Sequence, residues 1–239
     1  MKIAFIDLET SPNVAYAWGK WEQNIPEFKE DWYIMSFAVK WNDKKTKVYK
    51  KPDFKTYKQF IKLLWYVFEE ADIIVAHNGD KFDIKKANTQ FITCGLKPPA
   101  PYKTIDTLKW ARRTFKFDSN KLDDLGEYLN LGRKVETGGF KLWRDCMAGV
   151  TKAWNKMAKY NKQDVDLLYN VYEKLKSWST NHPNINVFAG NDACPICGCK
   201  RLIKRGFNLN KTGKTQRLQC LDCGGWCNSN TVKTTNIKT

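Results

Sequence analysis

The sequence predicts an α/β protein in which helices flank a mixed sheet and a small cysteine-rich domain follows. Three strand-like segments stand first with no helix between them, and strands then alternate with helices as far as residue 178. The first arrangement is typical of an antiparallel meander, and the second of a sheet covered by helices. After a segment with Asn, Pro and Gly, two Cys-x2-Cys pairs indicate a second module. We therefore expect domains at 1–178 and 193–239, joined by a linker at 179–192.

Net charge and composition limit what the protein can bind. The 239 residues include 41 Lys and Arg against 25 Asp and Glu, which gives a net charge of +16. This excess favours a polyanionic partner, most simply nucleic acid, over a generally basic protein without one. No apolar run is long enough to cross a membrane, and Met1 leads directly into a strand rather than a signal peptide. We expect a cytoplasmic protein without membrane contact, in which the eight cysteines stay reduced.

The first strand ends in two carboxylates. The stretch from Ile3 to Ile6 is apolar on both faces, as in a central strand that is buried on both sides. Asp7 and Glu9 then project from the same face, because side chains alternate along a strand. A divalent metal ion with oxygen ligands would offset the repulsion between them. The alternative is a strand that runs out into a solvated acidic turn, and an Asp-x-Glu pattern by itself favours that alternative.

Hydrophobic periodicity places the elements that follow. Short runs rich in β-branched and aromatic residues predict strands, and apolar residues three and four apart predict helices. Further strands are expected at 32–41, 47–50, 72–76 and from residue 104. Helices are expected at 54–70, 82–94, 122–131 and 157–178. The aromatic-rich stretch between residues 16 and 28 has no clear period, so its pattern predicts no element.

The second acidic segment follows turn-forming residues at 77–80. Asp83 lies in the first turn of the next helix, where Phe82 is expected to anchor the turn in the core and so aim its neighbour. Asp80 is expected to cap this helix, and a capping role is the alternative for Asp83 as well.

The third acidic segment lies on the long helix at 157–178. Tyr160 and Asp164 are four residues apart and therefore share a face, although a surface Tyr–Asp pair is the alternative. Asp166 is two residues off that face and is not assigned to the site. Carboxylates from a strand, a helix start and a late helix suit a pair of divalent ions in an in-line phosphoryl displacement. A tyrosine hydroxyl beside them can orient the attacking water.

Three segments together resemble the exonuclease motifs of the DEDD superfamily. They are Phe5–Thr10, His77–Asp83 and Tyr160–Asp164, and they stand in the order of the family and in the expected elements. The tyrosine of the third segment marks the DEDDy branch, and the first two segments look closest to the proofreading exonuclease domains of family B DNA polymerases. The resemblance covers residues 1–178 and implies an RNase H-like fold with a mixed five-stranded sheet flanked by helices.

The metal ligands and catalytic residues follow from this resemblance by position. The family uses two Mg²⁺ or Mn²⁺ ions, and the matching ligands in this chain are Asp7, Glu9, Asp83 and Asp164. Tyr160, with help from Glu9, matches the residue that orients the attacking water. The implied reaction is the 3′-to-5′ release of nucleoside monophosphates, and we expect DNA, mainly single-stranded, as the substrate.

Other residues match positions that contact the substrate strand in the family. They are Thr10, Asn78 and Phe82. Thr104–Leu108 resembles a strand that many members carry between the second and third motifs, with an acidic residue near the site. Asp106 is therefore a supporting candidate, although it fits a helix N-cap equally well.

The chain departs from the polymerase pattern because no polymerase domain follows the third motif. We expect a stand-alone nuclease or a subunit that acts in trans, with a possible role in DNA replication or repair. The same motifs serve RNA substrates, so an exoribonuclease is the second hypothesis. A nucleic-acid-binding adaptor with an inactive nuclease fold is the third, although the intact carboxylates and tyrosine argue against it.

The C-terminal cysteines have the spacing of a zinc ribbon. Cys194, Cys197, Cys220 and Cys223 form two Cys-x2-Cys pairs that fit tetrahedral ligation of one structural Zn²⁺, with disulfides as the alternative. Cys199 and Cys227 are expected to be free, with replacement of one ligand by either of them as the alternative. Cys94 and Cys146 are expected to be small core residues.

The ribbon is also basic. Residues 190–239 hold nine Lys and Arg and two acidic residues, a net charge of +7. We expect this module to be a second nucleic-acid binder that raises the local concentration of substrate. The alternatives are a docking site for a polymerase or another replication factor, and a module that only stabilises the first domain.

Overall fold

A computed structural model describes residues 1–21, 24–133, 138–189, 192–211 and 213–229. Parts of the predicted linker (190–191) and of the predicted ribbon (212 and 230–239) lie outside the described residues. The strands are β1 (Ile3–Thr10), β2 (Val14–Tyr16), β3 (Glu27–Glu30), β4 (Ile34–Trp41), β5 (Lys47–Lys50), β6 (Ile73–Ala76), β7 (Lys103–Asp106), β8 (Leu202–Asn210), β9 (Gly213–Cys220) and β10 (Trp226–Asn228).

The helices come after β5 in the sequence, and several of them pack against the main sheet. They are α1 (Tyr57–Glu70), α2 (Asp83–Thr93), α3 (Thr107–Thr114), α4 (Leu122–Tyr128), α5 (Lys141–Met147), α6 (Thr151–Leu175) and α7 (Asn186–Ala189), with short 3-10 helices at Lys51–Asp53 and Lys176–Trp178. None of the helices in the described ranges combines the length and apolar character that a membrane crossing requires.

The main sheet has the order β5-β4-β1-β6-β7, so β1 lies at its centre. β4 and β5 form an antiparallel meander with β1, whereas β6 and β7 run parallel to it. Helices cover both faces, because the parallel strands need crossover connections. The prediction of a mixed five-stranded sheet flanked by helices, with β1 central, is confirmed.

The two faces of β1 are buried by different helices. Its even-numbered residues, such as Ile6, pack with α1 and α2, while Phe5 on the other face packs with α3, α4 and α6. The Phe5 ring makes edge contacts to Tyr169 and Tyr172 of α6, with 5.1 Å between ring centroids in each case. Asp7 and Glu9 have the parity of Phe5, so they project toward α6.

The β2–β3 hairpin, α5 and α7 were not predicted, and one helix begins earlier than expected. Strands β2 and β3, at the two ends of the aromatic stretch, pair as a hairpin, and α5 covers residues for which the pattern indicated no helix. Helix α5 is short and forms because Leu142 and Cys146 pack in a core cluster with α6, whereas the hairpin consists mostly of exposed residues. The long helix begins at Thr151 rather than 157, because Ala153 and Trp154 continue its buried stripe.

The segment predicted as a linker makes specific contacts with the first domain. Asn181 Oδ1 accepts hydrogen bonds from the Trp110 indole at 3.0 Å and from Arg113 at 2.7 Å. His182 Nδ1 donates to the Pro183 carbonyl, so its Nε2 accepts from the Tyr172 hydroxyl at 2.8 Å. The domain boundaries stay a prediction, but the contacts of the first domain extend past residue 178.

The cysteine-rich module consists of a three-stranded antiparallel sheet in the order β10-β9-β8. Its small core contains Cys194, Ile196 and Cys220. The Ile185 amide donates to the Pro195 carbonyl at 2.9 Å, which joins the preceding segment to the first cysteine pair.

Candidate active site and cysteine cluster

Three carboxylates meet where β1 passes under α6. Asp7 and Glu9 project from the α6 side of the strand, and Asp164 lies on the buried stripe of the helix. One oxygen from each of these side chains lies within 4.8 Å of the other two. Asp164 is only 1% exposed, so its charge is poorly solvated. A set of hard oxygen ligands at this spacing suits a divalent cation, which would relieve the repulsion among them.

Asp83, at the start of α2, contacts the same strand β1. It is the first residue of α2, it is buried, and its Oδ1 accepts a hydrogen bond from the Leu8 amide at 3.0 Å. Leu8 lies between Asp7 and Glu9 in β1, so all four predicted carboxylates converge on one strand end. Asp83 does not belong to the 4.8 Å cluster found among the described residues.

A glycine, rather than a buried Phe82, determines the turn that presents Asp83. A Cβ on Gly79 would come closer to the Ala76 Cβ than two carbon atoms can approach. Asn78 before it has φ of 66°, in the left-handed region. The prediction that Phe82 anchors the turn in the core is wrong, because its side chain is 36% exposed.

The predicted capping role of Asp80 is also wrong. Helix α2 begins after Phe82, which occupies the N-cap position and makes no capping side-chain bond. Asp80 instead forms an ion pair with Lys109 at 2.5 Å. Asp166, which was not assigned to the site, accepts from Thr46 Oγ1 at 2.5 Å and pairs with Lys162.

Tyr160 lies one helical turn before Asp164 and hydrogen-bonds to it. Burial, followed by the negative charges of Asp164, Glu9 and Asp7, holds the pKa of the Tyr160 hydroxyl well above its usual range. The hydroxyl therefore keeps its proton at neutral pH and acts as a hydrogen-bond donor beside the carboxylates.

Two positioning residues were missed by sequence reasoning. The Asn161 amide donates to Asp7 Oδ2 at 2.6 Å and to the Asp7 carbonyl at 3.1 Å. Its Oδ1 accepts from Ser36 Oγ at 3.1 Å, and both Asn161 and Ser36 are fully buried. Ser36 is a polar residue within an otherwise apolar stretch of β4, which is the signal that could have identified it.

The predicted substrate-contacting residues lie around this strand end. Thr10 closes β1 at an irregularity in its pairing with β4. The Asn78 amide donates to Asp106 Oδ1 at 2.9 Å, and Asn78 lines a cleft of about 640 Å³ together with Arg112 and Lys121. Asp106 is the N-cap of α3 and lies outside the carboxylate cluster.

The four predicted zinc ligands come together in the ribbon. The Sγ atoms of Cys194, Cys197, Cys220 and Cys223 all lie within 4.8 Å of one another. The Cys194–Cys223 and Cys197–Cys220 sulfur distances are 3.7 Å and 3.6 Å. A tetrahedral site with zinc–sulfur bonds of about 2.3 Å requires sulfur atoms about 3.8 Å apart, so the cluster fits zinc. None of the eight cysteines, all within the described ranges, forms a disulfide.

Without a metal, the hydrogen bonds of the cluster favour the thiolate at Cys194, but not at Cys197 or Cys223. Burial raises the pKa of Cys197 to about 12, and the hydrogen bond to Cys194 together with burial raises the pKa of Cys223. A bond from the Cys223 thiol, opposed by burial and assisted by backbone amides, lowers the pKa of Cys194 to about 5. The amides of Ile196 and Gly225 lie 3.4 Å from the sulfurs of Cys194 and Cys223. Cys199 forms a smaller group with Cys220 and Asp222, which shares one sulfur with the main cluster and is therefore no independent site.

Comparisons with known proteins agree with this fold. A family model described as the RNase_H superfamily matches residues 4–176. The solved structure of the family B DNA polymerase from the hyperthermophilic archaeon Pyrobaculum calidifontis superposes with a TM-score of 0.53 at 16% sequence identity. That match covers 74% of this chain and 24% of the polymerase, and at this identity it shows a shared fold. No curated protein sequence matches the chain significantly. The family match covers most of the chain, from β1 to the end of the long helix, and the chain therefore belongs to the RNase_H superfamily.

Proposed function

We propose that the protein is a metal-dependent exonuclease that releases nucleoside monophosphates from the 3′ ends of DNA, preferentially from single strands. The observation that carries this proposal is the cluster of Asp7, Glu9 and Asp164 beside the Tyr160 hydroxyl. The RNase_H superfamily match supports nuclease chemistry, and the net charge of +16 supports a nucleic-acid substrate. The resemblance of the three motifs to proofreading domains supports the 3′-to-5′ direction.

The carboxylates would hold two Mg²⁺ or Mn²⁺ ions, with Asp83 completing the set of ligands. When bound, such ions neutralise the phosphate and stabilise charge on the attacking and leaving oxygens. Asn161 contributes by holding the Asp7 carboxylate in one orientation through one hydrogen bond, while a second bond holds the Asp7 backbone carbonyl.

Tyr160 would orient the attacking water. Its hydroxyl stays protonated because of burial and the neighbouring carboxylates, so it can donate a hydrogen bond at any pH near neutrality. The Tyr160 ring lies with its centroid 6.4 Å from that of Trp143, in an edge-on contact that limits its rotation. Glu9, on the same side of the strand, would accept a proton from the same water.

The 3′-terminal nucleotides would lie over the strand end, in contact with Thr10, Asn78 and Phe82. The exposure of Phe82 next to Asp83 supports this role, because an exposed ring can stack on a base. In the ribbon, the sulfur geometry supports one structural Zn²⁺, which would supply much of the folding free energy of so small a module. We propose a nuclease domain that extends past residue 178 to include the contacts of Asn181 and His182, followed by a ribbon domain at 193–239.

The proposed activity is tested with 5′-labelled DNA and RNA strands, single and duplex, incubated with Mg²⁺ or Mn²⁺. We expect a ladder that shortens from the 3′ end of single-stranded DNA. Faster degradation of RNA would replace the DNA assignment with an exoribonuclease, and binding without turnover would replace it with an adaptor.

The site assignment is tested with carboxylate variants. We expect Asp7→Ala and Asp164→Ala to abolish hydrolysis, because each removes a metal ligand and the associated charge neutralisation, typically several kcal/mol of transition-state stabilisation. Asp166→Ala is the matched control, since Asp166 lies on the same helix and pairs with Lys162 outside the cluster. Turnover at the wild-type rate by purified Asp7→Ala protein would contradict the assignment.

A further inference from the structure

The ribbon carries a cleft whose chemistry differs from that of the carboxylate site. The cleft has a volume of about 370 Å³ and is lined by Asn208, Arg217, Trp226, Cys227 and Asn228. We refer to it as the ribbon cleft. Strand register places Arg217 opposite Asn228 and Gln219 opposite Trp226, so these four side chains share one face of the sheet.

An aromatic ring and a guanidinium group are placed together at this cleft. The Arg217 Cζ lies 5.5 Å from the centre of the Trp226 ring, and the Trp226 side chain is 49% exposed. A Cβ on Gly206 would lie 3.0 Å from Arg217 Nη2, so the bulged β8 backbone confines the guanidinium. Such a pair offers a stacking surface for a base and a cation for the adjacent phosphate.

Amide side chains complete the cleft. The Asn208 amide donates to Asn228 Oδ1, which holds both side chains at the rim. Asparagine and glutamine amides hydrogen-bond to the edges of unpaired bases, which are exposed only in single strands. Duplex nucleic acid keeps its bases stacked inside the helix, so the cleft favours a single strand.

The acidic residues and most of the basic residues of the ribbon lie in different parts of it, which supports binding of a single nucleic-acid strand. Its two acidic residues, Asp192 and Asp222, pair with Lys200 and Arg201 near the cysteine cluster. The remaining basic residues of the described ribbon lie on the β8–β9 hairpin and have no third acidic residue within 192–239 to pair with: Lys204, Arg205, Lys211, Lys214 and Arg217.

We infer that the ribbon cleft binds an unpaired base of single-stranded nucleic acid, stacked on Trp226 with its phosphate near Arg217. This inference rests on the proposed nuclease function and adds a second binding site for the same strand. Gly225, next to Trp226, lies against Ser177 just past the end of α6. Ser177 follows Asp164 by thirteen residues, which corresponds to a distance of about 20 Å along a helix axis. One strand therefore needs on the order of six stacked nucleotides, at about 3.4 Å each, to reach both sites.

The test compares two aromatic residues on opposite faces of the three-stranded ribbon sheet, Trp226 on β10 and Phe207 on β8. Phe207 is 46% exposed and lies 4.7 Å from the Lys214 ammonium, so it matches Trp226 in exposure and in its cationic neighbour. Affinity of the full chain for a 5′-fluorescein-labelled 20-nucleotide single strand is measured by anisotropy in the Asp7→Ala background. We expect Trp226→Ala to weaken binding by about 5- to 100-fold, as for the loss of one stacked base, and Phe207→Ala to stay near the parent value.

Three further measurements separate stacking from charge and from misfolding. Trp226→Phe should restore most of the affinity, and a strand of abasic phosphodiesters should bind parent and Trp226→Ala protein alike. Zinc content is measured for each variant. If Trp226→Ala loses zinc, the inference is tested with Arg217→Ala and Trp226→Phe instead. Weaker binding by Arg217→Ala together with near-parent binding by Trp226→Phe would support it, and unchanged binding by Arg217→Ala would overturn it. Unchanged affinity for Trp226→Ala, or an equal loss for Phe207→Ala, would overturn the inference. The assay involves no hydrolysis, so its result is independent of whether the proposed exonuclease activity is found.

Discussion

Asn161 shows how a buried neutral side chain can fix the geometry of a charged one. Its amide holds both the carboxylate and the carbonyl of Asp7, while its own oxygen is held by Ser36. The three residues come from α6, β1 and β4, so the chain of hydrogen bonds ties the helix to the two strands. A carboxylate oriented in this way is ready to accept a cation without reorganisation.

We predict that Asn161→Ala lowers the rate of hydrolysis far more than it lowers stability. The variant releases the Asp7 carboxylate, and loss of such a supporting hydrogen bond typically costs about 10- to 100-fold in metal affinity or activity. The unpaired Ser36 hydroxyl should cost about 1–3 kcal/mol of stability. Titration of activity with Mg²⁺ and thermal unfolding measure the two effects. Asn155→Ala, at an exposed position on the same helix, is the control, and equal effects of the two variants would refute the role of Asn161.

Tyr160→Phe tests the hydroxyl alone, because phenylalanine keeps the ring contact with Trp143. If the hydroxyl orients water, the rate should fall by roughly 10- to 10⁴-fold, with the upper part of this range typical of acid–base groups. Strand affinity should stay near normal, since the carboxylates and the basic surface are unchanged. A wild-type rate in single-turnover assays would make Tyr160 a structural residue.

The raised pKa of Tyr160 also predicts a dependence of stability on pH. The unfolded chain ionises its tyrosines near pH 10, whereas folded Tyr160 keeps its proton to a higher pH. The folded state then binds more protons than the unfolded state, so this contribution is fully present below pH 10 and is lost as pH rises above it. Unfolding by urea between pH 9 and about 11 should therefore show a shallower loss of stability for Tyr160→Phe than for wild type.

At the scale of elements, the turn between β6 and α2 controls the position of Asp83. The turn is tight because Gly79 packs against Ala76, and the Asn78 amide is held by Asp106 at the start of α3. His77 adds to this junction, since its ring nitrogens lie 2.9 Å from Thr107 Oγ1 and from the Asn120 carbonyl. Three consecutive residues thus fix where the helix begins.

Gly79→Ala is predicted to destabilise this turn and to displace Asp83. The added Cβ collides with Ala76, and overpacking of this kind costs about 1–3 kcal/mol. We expect a lower melting temperature and a higher Mg²⁺ requirement. Gly19→Ala is the control, because a Cβ at that position meets nothing within 4 Å. A Gly79→Ala protein as stable and active as wild type would show that the turn relaxes at no cost.

Periodic elements and short-range motifs were predictable from the sequence, and tertiary contacts were not. The alternation of β1 and the buried stripe of α6 are local patterns, so the sequence predicted that Asp7 and Glu9 share one strand face and that Asp164 lies on the apolar side of the helix. The expectation that the three carboxylates converge came from the resemblance of the motifs. Phe82 was misassigned because its apolar character suggested burial, whereas the residue is 36% exposed and the close packing in this turn is that of Gly79 against Ala76. The Ser36–Asn161 bond joins residues 125 positions apart, and no local pattern reports such a pairing.

At the scale of the whole molecule, two sets of contacts join the C-terminal segment to the nuclease domain and to the ribbon. Asn181 and His182 first bind the side chains of α3 and α6, and Ile185 then bonds to Pro195 in the ribbon. Burial lowers the pKa of His182, so it stays neutral and accepts the Tyr172 hydrogen bond at physiological pH. The contacts of Asn181 and His182 therefore belong to the nuclease domain, and only the bond between Ile185 and Pro195 involves the ribbon.

Two truncations separate these sets of contacts. A chain ending at residue 185 keeps the hydrogen bonds of Asn181 and His182, whereas a chain ending at 178 loses them. Each lost bond to a buried partner costs about 1–3 kcal/mol, so the shorter chain should melt at a clearly lower temperature.

Both truncated chains should lack the ribbon cleft and bind long single strands more weakly, with a flatter salt dependence because fewer phosphates are neutralised. The longer truncated chain should still hydrolyse short oligonucleotides at the wild-type rate. Equal melting temperatures of the two truncated chains would place the domain boundary at 178, and full retention of long-strand affinity across a salt titration would leave the ribbon with a stabilising or protein-docking role.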